Sequence, residues 1–262
     1  MEEKALRLSA VFLMILTAVS FVLLPKLPAL HTWEVEAREE RIAEEEFAQS
    51  QVTMQNLKIK EQNEAAGAKG ELSIRLPEGV TGDQIAVSND YVTQTIRVEI
   101  PQADRTYFDS YPVLGNSDYI DGLSYTRQGE MGVIEVTTNK VYELQTEYDA
   151  QNFYFNFLTP HEVYDKVVVI DAGHGGRAVG ANKQGINEKD IDLAIVLKLK
   201  EIFDNSDQNI GVYYTRTDDS NPTFDQRVQL ANKSDADLFI SIHNNSTRSG
   251  RMSGTSGTQV MY

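Results

Sequence analysis

The segment Lys166–Asp171 is apolar on consecutive residues rather than on alternate ones. A strand that is apolar on both sides must be covered on both sides, as strands are in a parallel sheet inside an α/β layer. The pattern that follows agrees. A helix is predicted from Asn187 to about Asp204, a strand over Val212–Arg216, a helix over Thr223–Lys233 and a strand over Leu238–His243. Thr258–Tyr262 is expected to begin a fourth strand. Strand and helix in alternation predict an open, mostly parallel sheet flanked by helices over residues 166–262. Asn187 can cap the first helix, with Asp190 three residues on. Ile191, Ala194, Ile195, Leu199 and Ile202 are predicted to form its buried stripe.

The chain before this module changes character twice. Residues 71–160 carry period-2 runs such as Leu72, Ile74 and Leu76, punctuated by Pro77-Glu78-Gly79 and Leu114-Gly115-Asn116, and predict a small antiparallel β sandwich. Twelve of the 23 aromatics lie between Tyr91 and Phe157. They read first as core and cross-strand pairs and only second as sugar-stacking platforms. Residues 32–70 are acidic: Thr32–Ala66 holds 9 acidic and 4 basic residues with no Gly or Pro. That composition favours helix without a sustained heptad, so a solvated helical stalk is expected there. Leu8–Leu24 is a 17-residue uncharged run behind Lys4 and Arg7. Residues 1–31 therefore read as a membrane anchor, with a cleaved secretory signal as the alternative; either one exports the rest of the chain.

Composition narrows the chemistry. The net charge is -15, and the first 165 residues hold -14 of it. Nucleic acid is excluded as a partner, because phosphate binding needs a basic face. There is no cysteine, so thiolate metal sites, cysteine nucleophiles and disulfide scaffolds are excluded as well. Any metal must be held by imidazole and carboxylate.

Among four histidines, His174 and His243 stand out, since each follows the carboxyl end of a predicted strand. In an open parallel sheet that edge is where ligands bind. The glycines of Asp171–Gly176 let the backbone turn sharply beside His174, and the loop lacks the spacing of a dinucleotide fingerprint. Glu188 is placed to be a third ligand, in the first turn of the helix returning from that loop. The helix dipole alone would also favour an acid there. Two imidazoles and one carboxylate with an open fourth position make a catalytic zinc arrangement. Asp171 is a candidate to orient an imidazole. Arg216 and Arg227 read first as ion-pair partners and second as substrate contacts.

Taken in order, Val168–Gly176, Asn187–Asp190, Tyr214–Asp219, Arg227, Ala231-Asn232, Ser241–Asn245 and Ser256–Val260 resemble the zinc-dependent N-acetylmuramoyl-L-alanine amidases of bacterial cell-wall turnover. The resemblance spans Lys166–Tyr262. It implies that His174, Glu188 and His243 bind zinc and that the substrate is peptidoglycan, at the amide joining N-acetylmuramic acid to L-alanine. Asp171, Arg227 and Asn245 are left as candidates for orienting or substrate-contacting roles. The β-rich part looks like the small targeting domains that precede such amidases. One departure matters: the family carries a catalytic glutamate beyond the third ligand, and no Glu follows Glu201. The resemblance therefore puts the catalytic residue beyond Tyr262 and the module as incomplete, and leaves open a catalytically silent wall-binding or regulatory protein.

Overall fold

A computed structural model of the chain describes residues 27–50, 54–61, 69–244 and 257–260. A helix, α1 (Leu27–Ser50), leads into two short strands, β1 (Gln55–Asn56) and β2 (Lys60–Glu61). There follow β3 (Leu72–Arg75), β4 (Ala86–Asp90), β5 (Thr95–Pro101), α2 (Arg105–Ser110), β6 (Leu114–Gly115), β7 (Ile120–Gln128), β8 (Met131–Thr138), β9 (Glu143–Tyr148) and β10 (Asn152–Leu158). They form two five-stranded sheets, in the orders β1-β7-β8-β5-β4 and β2-β6-β3-β10-β9. Pairing is antiparallel except between β2 and β6. The inward residues alternate along each strand, as in Ile96, Val98 and Ile100 of β5 and Phe153, Phe155 and Phe157 of β10, and both sheets share one core. Half of the twelve aromatics of this stretch are buried in that core, as a β module requires: Phe108, Tyr125, Tyr142, Phe153, Phe155 and Phe157.

The helical stalk expected over residues 32–70 is corrected here. Helix ends at Ser50, and β1 and β2 belong to the sandwich: Gln55 pairs with Tyr125 and Lys60 with Leu114. The signal lay in Leu57 and Ile59, which alternate with polar residues and pack on the sandwich core. Among the described residues no helix is long and apolar enough to cross a membrane. The uncharged run Leu8–Leu24 lies outside them.

A short helix, α3 (Pro160–Val163), connects to the second module. Its elements are β11 (Lys166–Ala172), a two-residue hairpin of β12 (Asn182–Lys183) and β13 (Ile186–Asn187), α4 (Glu188–Asp204), β14 (Ile210–Tyr214), α5 (Phe224–Lys233) and β15 (Leu238–Ile242). The three long strands form a parallel sheet in the order β14-β11-β15. Val167, Val169 and Ile170 of β11 are fully buried, as its unbroken apolar run requires. The two modules are packed together: Val141 N–H donates to Lys233 O, and Glu143 accepts from Tyr91 and Tyr213.

Two expectations fail. Of Thr258–Tyr262, residues 258–260 form no strand and pair with nothing among the described residues, and Met261 and Tyr262 lie outside them. On α4 most of the predicted stripe faces outward: Ile191, Ala194, Ile195 and Ile202 are exposed and only Leu199 packs on the core, while Glu188, Lys189, Asp192 and Val196 are buried. The helix has two apolar sides, and its rotation is decided by Glu188, which turns toward the sheet edge.

One polar cluster ties the second module together. The Asp171 carboxylate of β11 accepts from Arg227 Nη1 of α5 (2.5 Å), from Thr215 Oγ1 after β14 (2.6 Å) and from Ser241 Oγ of β15 (2.6 Å). Burial alone would push this carboxyl up; the Arg227 guanidinium and the two hydroxyls outweigh it and hold it below the usual range. Removing one partner of a buried ion pair leaves an unpaired charge, at a cost of about 3–5 kcal/mol. Arg227→Ala should therefore lower unfolding stability by about that much, whereas Lys198→Ala, in an exposed pair with Glu201, should change it little. Urea unfolding of both variants checks this, and equal small effects would refute it.

Candidate metal centre

β11 and β15 lie side by side in register, with Ala172 opposite Ile242. Their carboxyl ends are therefore level, and the residues that leave them, Gly173-His174 and His243, emerge together. This close approach needs glycine at two places. A side chain at Gly173 would run into the His243 ring. One at Gly180, where φ is +65°, would meet both the His174 ring and Glu188. His174 itself has φ +57°, a conformation disfavoured for a residue with a side chain. Two buried arginines hold it there. Arg227 donates to the carbonyls of Ala172 (2.7 Å) and His174 (2.8 Å), and Arg216 to those of Ala172 (2.9 Å) and Gly173 (2.7 Å).

Glu188 is the first residue of α4. Its Oε2 accepts from Ala181 N–H (2.8 Å) and its Oε1 from Asn244 N–H (2.8 Å), so backbone donors fix the carboxylate. Oε1 lies 3.2 Å from His174 Nε2 and 3.3 Å from His243 Nδ1, and those two nitrogens are 3.2 Å apart. The three atoms form a nearly equilateral triangle. A tetrahedral ion with bonds of about 2.0–2.1 Å has edges of about 3.3–3.4 Å, so the triangle matches one face of such a site. The fourth direction opens into a cavity of about 670 Å³ lined by residues of α1, α5 and the sheet edge.

The charges fit a cation. Burial would raise Glu188, but hydrogen bonds from His174, His243 and Ala181 hold it far below the usual carboxylate range. Burial would lower His174, but the carboxylates of Glu188 and Glu39 push it up to about 9.

The site thus brings together His174, Glu188 and His243. Asp171 hydrogen-bonds to no imidazole among the described residues, being committed to Arg227, Thr215 and Ser241; Arg227 is the ion-pair partner of an aspartate, as first read, and also braces the loop under His174. Arg216 likewise serves backbone carbonyls rather than an Asp carboxylate. Asn245 lies outside the described residues. Asp192 went unnoticed in the sequence. It is fully buried, belongs to the same cluster of metal-capable side chains, and has one carboxylate oxygen accepting from Asn244 Nδ2 (2.6 Å) and the other without a hydrogen-bond partner among the described residues. Burial pushes it up to about 6. Its position four residues after Glu188, on the same helix face, was the available signal. Glu39 of α1 was also missed. Its Oε2 stands 3.0 Å from His174 Nδ1, with nothing in the local sequence to show it.

Comparison with known proteins bears on this module. A family model described as N-acetylmuramoyl-L-alanine amidase matches residues 168–262. An endolysin of Bacillus phage SPP1 is 45% identical over 86 residues, covering 33% of this chain and 31% of that protein. The N-acetylmuramoyl-L-alanine amidase CwlM of Bacillus licheniformis is 41% identical over 78 residues, covering 30% of this chain and 31% of that protein. Among solved structures, the catalytic domain of the amidase CwlV from Bacillus (Paenibacillus) polymyxa var. colistinus is 41% identical, covering 32% of this chain and 47% of that one, with a TM-score of 0.31. The chain spans about a third of the length of those two relatives and about half of that structure. Residues 168–262, about a third of the chain, thus match the N-acetylmuramoyl-L-alanine amidase family.

Proposed function

We propose that this module is a zinc-dependent amidase of bacterial peptidoglycan, hydrolysing the amide between N-acetylmuramic acid and L-alanine of the stem peptide. The observation that carries the reading is the triangle of His174 Nε2, Glu188 Oε1 and His243 Nδ1, with sides of 3.2–3.3 Å, in a module of that family. Two imidazoles and a carboxylate are a donor set that catalytic zinc takes, with a fourth position free. Bound there, zinc would supply Lewis acidity toward the scissile carbonyl and a water. The protein's own part is preparation. The arginine-held loop aims His174, two backbone N–H groups aim Glu188, and the glycines leave room for the rings. The family resemblance assigns proton transfer to a glutamate that lies past the third ligand in members of the family. Nothing in the site favours the non-catalytic alternative.

Peptidoglycan lies outside the cytoplasm, so the proposal includes export. We read Leu8–Leu24 as a retained single-pass anchor and residues 71–160 as a wall-targeting module. N-terminal sequencing of membrane-extracted protein tests the anchor, and a mature N-terminus near Leu30 would replace it with a cleaved signal.

The metal assignment makes two measurable statements. The purified chain should bind about one zinc ion, and His174→Ala, His243→Ala and Gly180→Ala should each lower its affinity at least about tenfold; second-layer disturbances alone cost 10–100-fold. Unchanged zinc content in both histidine variants would overturn the assignment. The second statement concerns pH. Because His174 is pushed up to about 9, it carries a proton that metal must displace at neutral pH. Apparent zinc affinity should rise about tenfold per pH unit from about pH 6.5 and flatten near pH 9. In the metal-free chain the sign is opposite: the stabilisation from charged His174 is full below its ordinary value of 6.5 and is lost as pH rises through about 9. Chelator competition across this range measures the first trend, and an affinity flat with pH would remove His174 from the ligand set.

Activity is tested by release of L-alanine-terminated peptides from purified sacculi, abolished by chelators. A chain ending at Tyr262 should be about 10²–10⁴-fold slower than one extended by a segment carrying the acid-base glutamate. Equal rates would place the base within residues 1–262, with Asp192 the first residue to substitute. Cleavage of glycosidic bonds instead would refute the proposal.

A further inference from the structure

Asp192 is fully buried, and its Oδ2 has no hydrogen-bond partner among the described residues. A buried carboxylate oxygen without a donor is unfavourable, so its presence calls for a physical reason. The other oxygen, Oδ1, accepts from Asn244 Nδ2 (2.6 Å). Asn244 in turn donates its backbone N–H to Glu188 Oε1 (2.8 Å), the carboxylate oxygen of the triangle. Asn244 also directly follows His243. One buried side chain thus ties α4, which carries Glu188, to the end of β15, which carries His243. The tie falls where the triangle has least other support. The His174 side chain is 12% exposed and stands on a loop braced by two arginines. The His243 side chain is 46% exposed and leaves a strand that pairs only with β11 among the described residues. Asp192 lies one turn after Glu188, so the rotation of α4 that aims Glu188 also brings Asp192 to Asn244.

We propose that Asp192 is a positioning residue of the metal centre: through Asn244 it holds Glu188 and His243 at the spacing a metal ion needs, and its unpaired oxygen supplies negative charge that a bound cation balances. The proposal rests on the metal reading above. Asp192 offers a donor atom within 4.8 Å of those of His174, Glu188 and His243, a range over which a carboxylate attracts a cation in a pocket poor in water. Asp192 is not among the described residues that line the cavity, so it reaches the chemistry through Asn244 and through its charge. A role in the fold alone and a role in the metal centre differ in sign. A residue that served only the fold would stabilise the metal-free chain. A buried carboxylate with an unmatched oxygen lowers the stability of the metal-free chain, and its benefit appears when metal is bound.

The test compares the full chain in detergent with Asp192→Asn, Asp192→Ala, Asn244→Ala and the Asp192→Ala, Asn244→Ala double variant. Asp192→Asn keeps an acceptor for Asn244 and removes the charge. Three quantities are read: zinc affinity by chelator competition, the visible absorption of the cobalt(II)-loaded chain, which reports ligand geometry, and the urea midpoint of the metal-free chain. Asp192→Ala should weaken zinc binding about 10–100-fold and shift the cobalt bands, and Asp192→Asn should weaken it about tenfold. The metal-free urea midpoint of Asp192→Asn should equal or exceed the parent's. The double variant should bind zinc no more weakly than Asp192→Ala, because both substitutions break the same chain of contacts. Unchanged zinc affinity in Asp192→Ala, full additivity of the two substitutions, or a lowered metal-free midpoint in Asp192→Asn would each overturn the proposal and leave the metal reading standing. A parent chain that takes up neither zinc nor cobalt would overturn the metal reading, and the proposal with it.

Discussion

The Asp171 carboxylate is the point on which the second module depends. It receives donors from the segment after β14, from β15 and from α5, so one buried charge fixes the spacing of all three strands and one helix. Its partner Arg227 carries the constraint further, because the same guanidinium holds the carbonyls of Ala172 and His174. An unpaired charge here would be costly, and that cost keeps the cluster in one arrangement. The disfavoured backbone of His174 is thereby maintained by groups that never touch the pocket's contents. Strain at a functional residue persists only where its surroundings over-determine it, and here the over-determination can be traced to two arginines.

The three candidate ligands were legible because each sits at an element boundary. Buried parallel strands announce themselves by unbroken apolar runs, and a residue just past such a run lies at the ligand-binding edge. Glu188 was legible for a related reason, in the first turn of α4, although Asn187 before it makes no side-chain capping bond and instead donates to Asp190. The rotation of α4 was not. Its sequence offers one apolar side through Ile191, Ile195 and Ile202 and another through Val196, Leu199 and Phe203, and periodicity cannot choose between them. The choice is made by Glu188, which brings Asp192 and Val196 inward with it and leaves the first side exposed.

The acidic segment was misread for a different reason. A run of glutamates with few apolar residues has the pattern of a solvated helix, and its local sequence holds nothing to contradict that. Its partners, Arg177, Asn221, Phe224 and His174, lie more than 130 residues away. Contacts of that range are made by charge and by the amino end of a helix, neither of which leaves a periodic trace. Asp192 shows the same blindness on a smaller scale. A charged residue on an amphipathic helix is assigned to the solvent side by default, yet the rotation imposed by Glu188 buries it beside the cluster.

Glu39 joins α1 to the chemistry of the metal pocket. A carboxylate only accepts hydrogen bonds, so the proton between Glu39 and His174 belongs to Nδ1. That assignment leaves Nε2 as the nitrogen facing Glu188 and His243, and it is the nitrogen that completes the triangle. Pairing one ring nitrogen with a carboxylate fixes the tautomer and makes the other nitrogen a stronger donor to metal. The docked helix therefore does two things with one side chain: it lines the pocket and it prepares a ligand. That support comes from α1, an element outside the sheet that carries His174 and His243, so the geometry of one candidate ligand depends on a helix about 135 residues earlier in the chain.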